Sequence, residues 1–195
     1  MSHVRHDTMH TLKVPATDVQ SLDTKRIILI GPMASGKTSI GRHLAGLLKW
    51  SFIDTDQAIE QASGADIATI FALEGEAGFR GREHLQLAAL TQRTQIVIAT
   101  GGGVVLMPEN HALLTQESHI VLTVVSLDRQ FARAKKIRNR PLLHQGDPGK
   151  VLEETWKARQ SLYYSLAHTI IDTSFGSPRE VAVRLHAQLV GRSIS

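Results

Sequence analysis

Gly31-Pro-Met-Ala-Ser-Gly36-Lys37-Thr38 follows directly on an apolar run, Ile27 to Ile30, and meets every fixed position of the phosphate-loop pattern G-x-x-x-x-G-K-[ST]. Glycine at 31 and 36 lets the backbone turn tightly, so that successive N–H groups point inward at a phosphate. A helix starting near Lys37 adds its positive N-terminal end. The nucleotide-binding candidates are therefore Gly31, Ala34, Ser35, Gly36, Lys37, Thr38 and Ser39. Lys37 is placed to reach the β/γ oxygens and the Thr38 hydroxyl to ligate Mg²⁺. The plain alternative is a chance glycine-rich turn, and the loop by itself gives a nucleotide but not a reaction.

Other chemistry-bearing residues recur downstream. In Asp54-Thr-Asp56 the two carboxylates are two apart, a spacing that on a strand puts both on one face at the strand's carboxyl end; the alternative is a cap at Asp56 for the next helix. Arg80 and Glu83 are three apart, neighbours on one helix face, where an exposed surface pair is the usual meaning. Gly101-Gly102-Gly103 ends an apolar run; three glycines cost conformational entropy, which suggests that something approaches that backbone closely. Arg129, Arg133, Lys136 and Arg140 follow helical spacing until Pro141. The next stretch, to Gly149, holds two prolines and two glycines and reads as a mobile lid over about 138–150.

The elements that must position these residues alternate. Strands are expected at 27–30, 51–54, 96–99, 119–125 and 169–172. Helices are expected at 37–48, over most of 57–91 with breaks at Gly64 and 74–78, then at 109–116, 127–140, from about 150, and at 178–189. Short strands alternating with helices predict a three-layer α/β/α fold around a five-stranded parallel sheet. In such a sheet, ligands bind at the carboxyl ends of the strands. Residues 1–24 have no sustained period and read as a flexible extension, whose His3, His6 and His10 are more simply adventitious than a metal site. The remainder, 25–195, reads as a single domain, with substrate-binding helices over about 56–92.

Composition sets outer bounds. At 195 residues, with 42% apolar and 21% charged, the chain can bury a substantial core in one domain. The absence of cysteine excludes disulfides, thiolate catalysis and Cys-ligated metal, and fits a reducing cytoplasm. No stretch approaches the roughly 18 to 20 consecutive apolar residues of a membrane helix, and the first 24 residues lack a signal peptide's apolar centre. The net charge of +4 invites a nucleic-acid partner, yet six of the 22 Lys and Arg residues fall within 129–140, beside the expected nucleotide site. That stretch has only Phe131 to stack on a base, so no nucleic-acid partner is expected. With no apolar excess on the surface-assigned helices, the expected form is a monomer.

Taken together, Gly31-Pro-Met-x-x-Gly-Lys-Thr38, Phe52-Ile-Asp-Thr-Asp56, Phe79-Arg80-x-x-Glu83, Ala99-Thr-Gly-Gly-Gly103, Arg140-Pro-Leu-Leu143 and Arg159-x-x-x-Tyr163 stand in the order and approximate spacing of the shikimate kinases, which this chain resembles over about 25–190. The resemblance implies a P-loop kinase fold and transfer of the ATP γ-phosphoryl group to the 3-hydroxyl of shikimate, on the route to chorismate and aromatic amino acids. It implies Lys37 and Thr38 for ATP and Mg²⁺, with Asp54 helping to hold the metal. Asp56 would bind the acceptor hydroxyls and take the proton of the attacking one. Arg80 and Arg159 would clamp the carboxylate, with Glu83 orienting Arg80 and the backbone of Gly101, Gly102 and Gly103 beside the ring. Arg140 would close over the γ-phosphate and Arg133 would lie near the adenine. After the last strand, Ser174-Phe-Gly-Ser177 offers no cation where relatives often carry one. The rivals are another small-molecule kinase of this architecture, such as a gluconate kinase, and a metabolite-sensing kinase-like module.

Overall fold

A computed structural model describes residues 24–135 and 147–191. The expected extension over 1–24, with His3, His6 and His10, lies outside the described residues apart from Thr24. The expected lid over 138–150, with Arg140, lies outside them apart from Asp147 to Lys150.

Five strands, β1 (Arg26–Ile30), β2 (Ser51–Asp54), β3 (Ile96–Ala99), β4 (Ser118–Val124) and β5 (Thr169–Asp172), form one parallel sheet in the order β2-β3-β1-β4-β5. Ile28 of the central strand sits opposite Ile98 on one side and Ile120 on the other. Because strand side chains alternate between faces, the Ile27-Ile-Leu-Ile30 run supplies both faces at once. Ile27 and Leu29 join Val97, Val121 and Ile171 beneath α1 (Lys37–Leu48) and α7 (Pro178–Leu189). Ile28 and Ile30 join Ile98, Ile120 and Leu122 on the opposite face, beneath α3 (Ile67–Leu90), α4 (Pro108–Thr115) and α6 (Pro148–Leu166). All four residues of the run are fully buried, each burial stabilising by about 1.5–3 kcal/mol before entropy is charged against it.

The helices α2 (Thr55–Ser63) and α3 lean over one end of the sheet around Ile59, Ile70 and Phe79, with the Phe71 and Phe79 rings 4.7 Å apart. α2 stops at Gly64, in the left-handed region at φ 69°. α3 is broken at Gly75, at φ 68° and ψ −174°, within the expected break over 74–78. A short helix, α5 (Leu127–Ala134), follows β4.

Three expectations need correction. β2 ends at Asp54 as expected, but strand alternation does not carry on to Asp56: the Asp54 carboxylate accepts from the Asp56 and Gln57 N–H groups at 3.0 and 3.3 Å and so starts α2. The cap is therefore Asp54, and Asp56 lies in the first helical turn. β4 begins and ends one residue earlier than expected. α6 begins at Pro148 rather than about 150, because proline is tolerated in a helix's first turn and the Asp147 carboxylate caps the Gly149 N–H at 2.9 Å. Among the described residues, no helix is long and apolar enough to cross a membrane.

Candidate active site

The chain passes from β1 through α1 to β2, skipping the position of β3, and β3 is in turn connected back across β1 to β4. That reversal opens a crevice at the carboxyl ends of the strands. The loop after β1 occupies it. Gly31 has φ 136°, and a Cβ there would lie 2.5 Å from the Thr123 carbonyl oxygen, so glycine is required by both torsion and space. Gly36, at φ 94°, precedes α1 with no side chain capping it, which leaves the helix's first N–H groups directed at the crevice. Ala34 also adopts a left-handed torsion, φ 58°.

Lys37 folds back over this loop: its ammonium donates to the carbonyls of Gly31 and Pro32 at 2.8 and 2.7 Å. Thr38 Oγ1 donates to Asp54 Oδ2 at 2.5 Å, which joins the loop to the end of β2. These are hard oxygen donors, and among the described residues no group of three or more His, Cys, Asp or Glu could hold a metal by itself. A pair of oxygens beside a phosphate site suits Mg²⁺, which binds through one or two protein ligands, water and substrate phosphates. Ser35 differs from its expected role. The residue is fully buried, its hydroxyl is 2.7 Å from Thr123 Oγ1, its N–H donates to the Pro32 carbonyl at 3.4 Å and its carbonyl accepts from Thr173 Oγ1 at 2.8 Å, so it braces the loop from below and does not line the cleft.

A cleft of about 290 Å³ lies over the loop, lined among others by Ala34, Gly36, Lys37, Thr38, Ser39, Asp54, Asp56, Gly101, Gly102 and Arg133. Arg133 reaches across from α5 and donates to the Thr173 carbonyl at 2.6 Å and to Thr173 Oγ1 at 3.2 Å. It also borders a smaller hollow of about 190 Å³ with Ile40, Thr173, Gly176 and Pro178.

A second cleft, about 440 Å³, opens on the other side of Asp56 between α2, α3 and α6. Arg80 and Arg159 line it with Glu83, Gly101, Gly102 and Gly103, and Ile67, Phe71 and Phe79 form its apolar wall. Arg80 is held on its own helix by Glu83 Oε2 at 2.6 Å and Glu76 Oε1 at 3.1 Å. The pair with Glu83 is therefore partly sunk in the cleft floor and not the exposed pair that the spacing usually signals. Its guanidinium lies so close to Gly103 that a Cβ there would come within 2.3 Å of it. Glu83 is fully buried; burial pushes its carboxyl above the usual range, Arg80 opposing and Asp56 reinforcing the shift. Arg159 donates to the Gly102 carbonyl at 3.3 Å. Asp56, Met33, Gly101 and Gly102 line both clefts.

The sequence-predicted residues thus converge, Arg140 lying outside the described residues. Sequence reasoning missed the residues that hold the loops: Thr55, whose hydroxyl accepts from the Gly101 N–H at 3.1 Å; Gln130, which donates to the Met33 carbonyl at 2.9 Å; and Thr123 and Thr173. Each looks like an ordinary strand-end or helix polar residue, and only the strand order sets it beside the loop.

Comparison with known proteins points to one family. A family model described as Shikimate kinase matches residues 33–190. The shikimate kinase of Psychrobacter cryohalolentis is 47% identical over 169 residues, covering 87% of this chain and 91% of that protein. That of Hahella chejuensis is 46% identical over 157 residues, covering 80% and 82%. Among solved structures, the shikimate kinase from Acinetobacter baumannii in complex with shikimate matches with a TM-score of 0.83 at 40% identity, over 86% of this chain and 94% of that one.

Proposed function

The chain belongs to the shikimate kinase family, and we propose from that premise that it transfers the γ-phosphoryl group of ATP to the 3-hydroxyl of shikimate, giving shikimate 3-phosphate and ADP. The observation that carries this reading is the pair of clefts meeting at Asp56 and Gly101: a phosphate loop on one side, two arginines on the other. A polyhydroxylated acid needs cations for its carboxylate and an anionic acceptor for its hydroxyls, and Arg80, Arg159 and Asp56 have that chemistry.

In the proposed reaction the triphosphate lies along the loop's N–H groups and the start of α1. Its base lies toward the hollow beside Arg133. Thr38 and Asp54 would hold Mg²⁺, which when bound supplies positive charge to the β and γ oxygens. The acceptor carboxylate sits between Arg80 and Arg159, Glu83 keeping Arg80 in place. As the acceptor oxygen bonds to the γ-phosphorus, its proton passes to Asp56 and the bond to the β–γ bridging oxygen breaks, the electron pair leaving with ADP. Phosphoryl transfer of this kind has a loose transition state, so positioning and cations carry the catalysis. Lys37 provides one such cation. Arg140, which lies outside the described residues, is assigned the second from the family resemblance. One chain lines both clefts, which supports a monomer as the working form, and the absence of cysteine fits a reducing cytoplasm.

ADP release from MgATP tests the reading, with shikimate, with gluconate and without acceptor, each repeated in EDTA. Turnover with shikimate alone, abolished by EDTA, is expected. Turnover with gluconate would leave the nucleotide site standing and require new roles for Arg80, Arg159 and Asp56. ATP binding with no working acceptor would favour the sensor.

A further inference from the structure

Among the described residues Tyr163 is the largest fully buried side chain, and the reaction described above gives it no part. Its ring stacks on Trp156 at 6.0 Å between centroids, and its hydroxyl donates to the Gly102 carbonyl. One turn earlier on α6, Arg159 donates to the same oxygen. A carbonyl has two lone pairs, so both donors can be accepted at once. Gly102 also packs against the phosphate loop: a Cβ at this position would lie 3.4 Å from the Met33 nitrogen, 3.5 Å from the Gly31 carbonyl oxygen and 3.6 Å from the Tyr163 hydroxyl itself. One peptide therefore touches the nucleotide loop and anchors the acceptor arginine.

We infer that Tyr163 is a positioning residue which, through the Gly102 carbonyl, fixes the Arg159 guanidinium for the acceptor carboxylate and couples its placement to the nucleotide loop. This deepens the reading proposed above and rests on it. A phenol suits the task. Buried beneath the cleft, it stays protonated, its pKa pushed up to about 12 by desolvation, so its hydroxyl remains a donor at any working pH. With the hydroxyl gone, Arg159 keeps its charge but loses the second donor that fixes its carbonyl partner, and the loop's tie to α6 is reduced to Arg159 itself.

Tyr163→Phe retains the ring and removes the hydroxyl, and with it both the donation to Gly102 and the direct interaction with the Arg159 guanidinium. Shikimate dissociation constants are to be measured by tryptophan fluorescence or calorimetry, with and without ADP, for the unaltered chain, Tyr163→Phe, Arg159→Lys and the double variant. The expected result is an unchanged melting temperature to within a few degrees, shikimate affinity reduced about tenfold, and ADP affinity within about twofold of the original. The double variant is expected to be hardly worse than Arg159→Lys, because Tyr163 acts through Arg159. Additive losses in the double variant, unchanged shikimate affinity in Tyr163→Phe, or a variant that no longer folds would each overturn the inference, the last by showing a purely structural role. If the unaltered chain fails to bind shikimate, the proposed function falls and takes this inference with it; if it binds and Tyr163→Phe binds equally well, only the inference falls.

Discussion

In the role proposed for it, Lys37 is a side chain prepared for charge that would arrive only with substrate. The residue is 8% exposed and its ammonium donates to two loop carbonyls, so it is held in the crevice before any phosphate enters. Exchanging those carbonyls for phosphate oxygens requires little movement. Lys37→Met is expected to lower kcat at least about a hundredfold with the fold intact, measured by ADP release alongside circular dichroism, since a preorganised charge at developing anionic oxygens is worth that much. Near-normal turnover would remove Lys37 from the chemistry. At this scale the sequence was highly legible where spacing enforces geometry, as in Gly31, Gly36, Lys37 and Thr38. It misled at Asp56, where strand alternation was carried past Asp54. The Asp54 carboxylate's hydrogen bonds to the next N–H groups end the strand there, a local competition between cap and strand that residue types alone leave open.

Among the elements, the loop Gly101–Gly103 does most to bring the two clefts together. Gly101 and Gly103 are needed for space, not for unusual torsions, whereas a Cβ at Gly102 would meet only ordinary contacts. Side chains crowd those two, Glu83 and Asp56 at Gly101 and the Arg80 guanidinium at Gly103. Gly103→Ala would place a methyl 2.2 Å from Arg80 Nη2 and must displace that flexible group. The expected result is a shikimate KM raised about tenfold or more, equivalent to about 1.4 kcal/mol, with the ATP KM within about twofold. Steady-state kinetics with each substrate varied in turn would check it, and an unchanged shikimate KM would mean that Arg80 is not needed where it stands. The five strands were readable because each is a short apolar run ended by a turn signal. Their order was not, since it depends on pairings between distant segments, and so Thr123 and Thr173 could not be set beside the loop in advance. α6 was read two residues late because Pro148 serves a helix start as readily as a loop.

For the molecule as a whole, the sheet separates two ends with different demands. The carboxyl ends carry the clefts. The opposite end carries His119, near the start of β4, half-buried, bonded to Thr169 Oγ1 at 2.8 Å and 5.3 Å from the His168 ring. Burial, and secondarily His168, lowers the His119 pKa to about 4 from an ordinary 6.5. Between these values the unfolded chain binds the extra proton and the folded one does not. Its contribution to stability is therefore complete above pH 6.5, declines as the pH falls towards about 4, and is lost below that. His119→Gln is expected to flatten the melting temperature between pH 6.5 and 4 relative to the unaltered chain, without changing turnover at neutral pH. Parallel acid dependences in the two proteins would refute it. Two-sided burial of the central strands could be anticipated from their unbroken apolar runs, whereas this histidine contact, which needs β4 and β5 as neighbours, could not.

The wall shared by the clefts, Met33, Asp56, Gly101 and Gly102, has a further consequence for ligand design. A compound joining a phosphate-chain mimic to a hydroxylated acid would need only a short tether across Asp56. Once either half was seated, the other would meet its cleft at a local concentration on the order of millimolar, and the gain in avidity would come without any new contact. Selectivity would rest on the acid half, because a phosphate loop is shared among many nucleotide-binding proteins, whereas the acid half would be read by the proposed pair Arg80 and Arg159 beside the triple glycine.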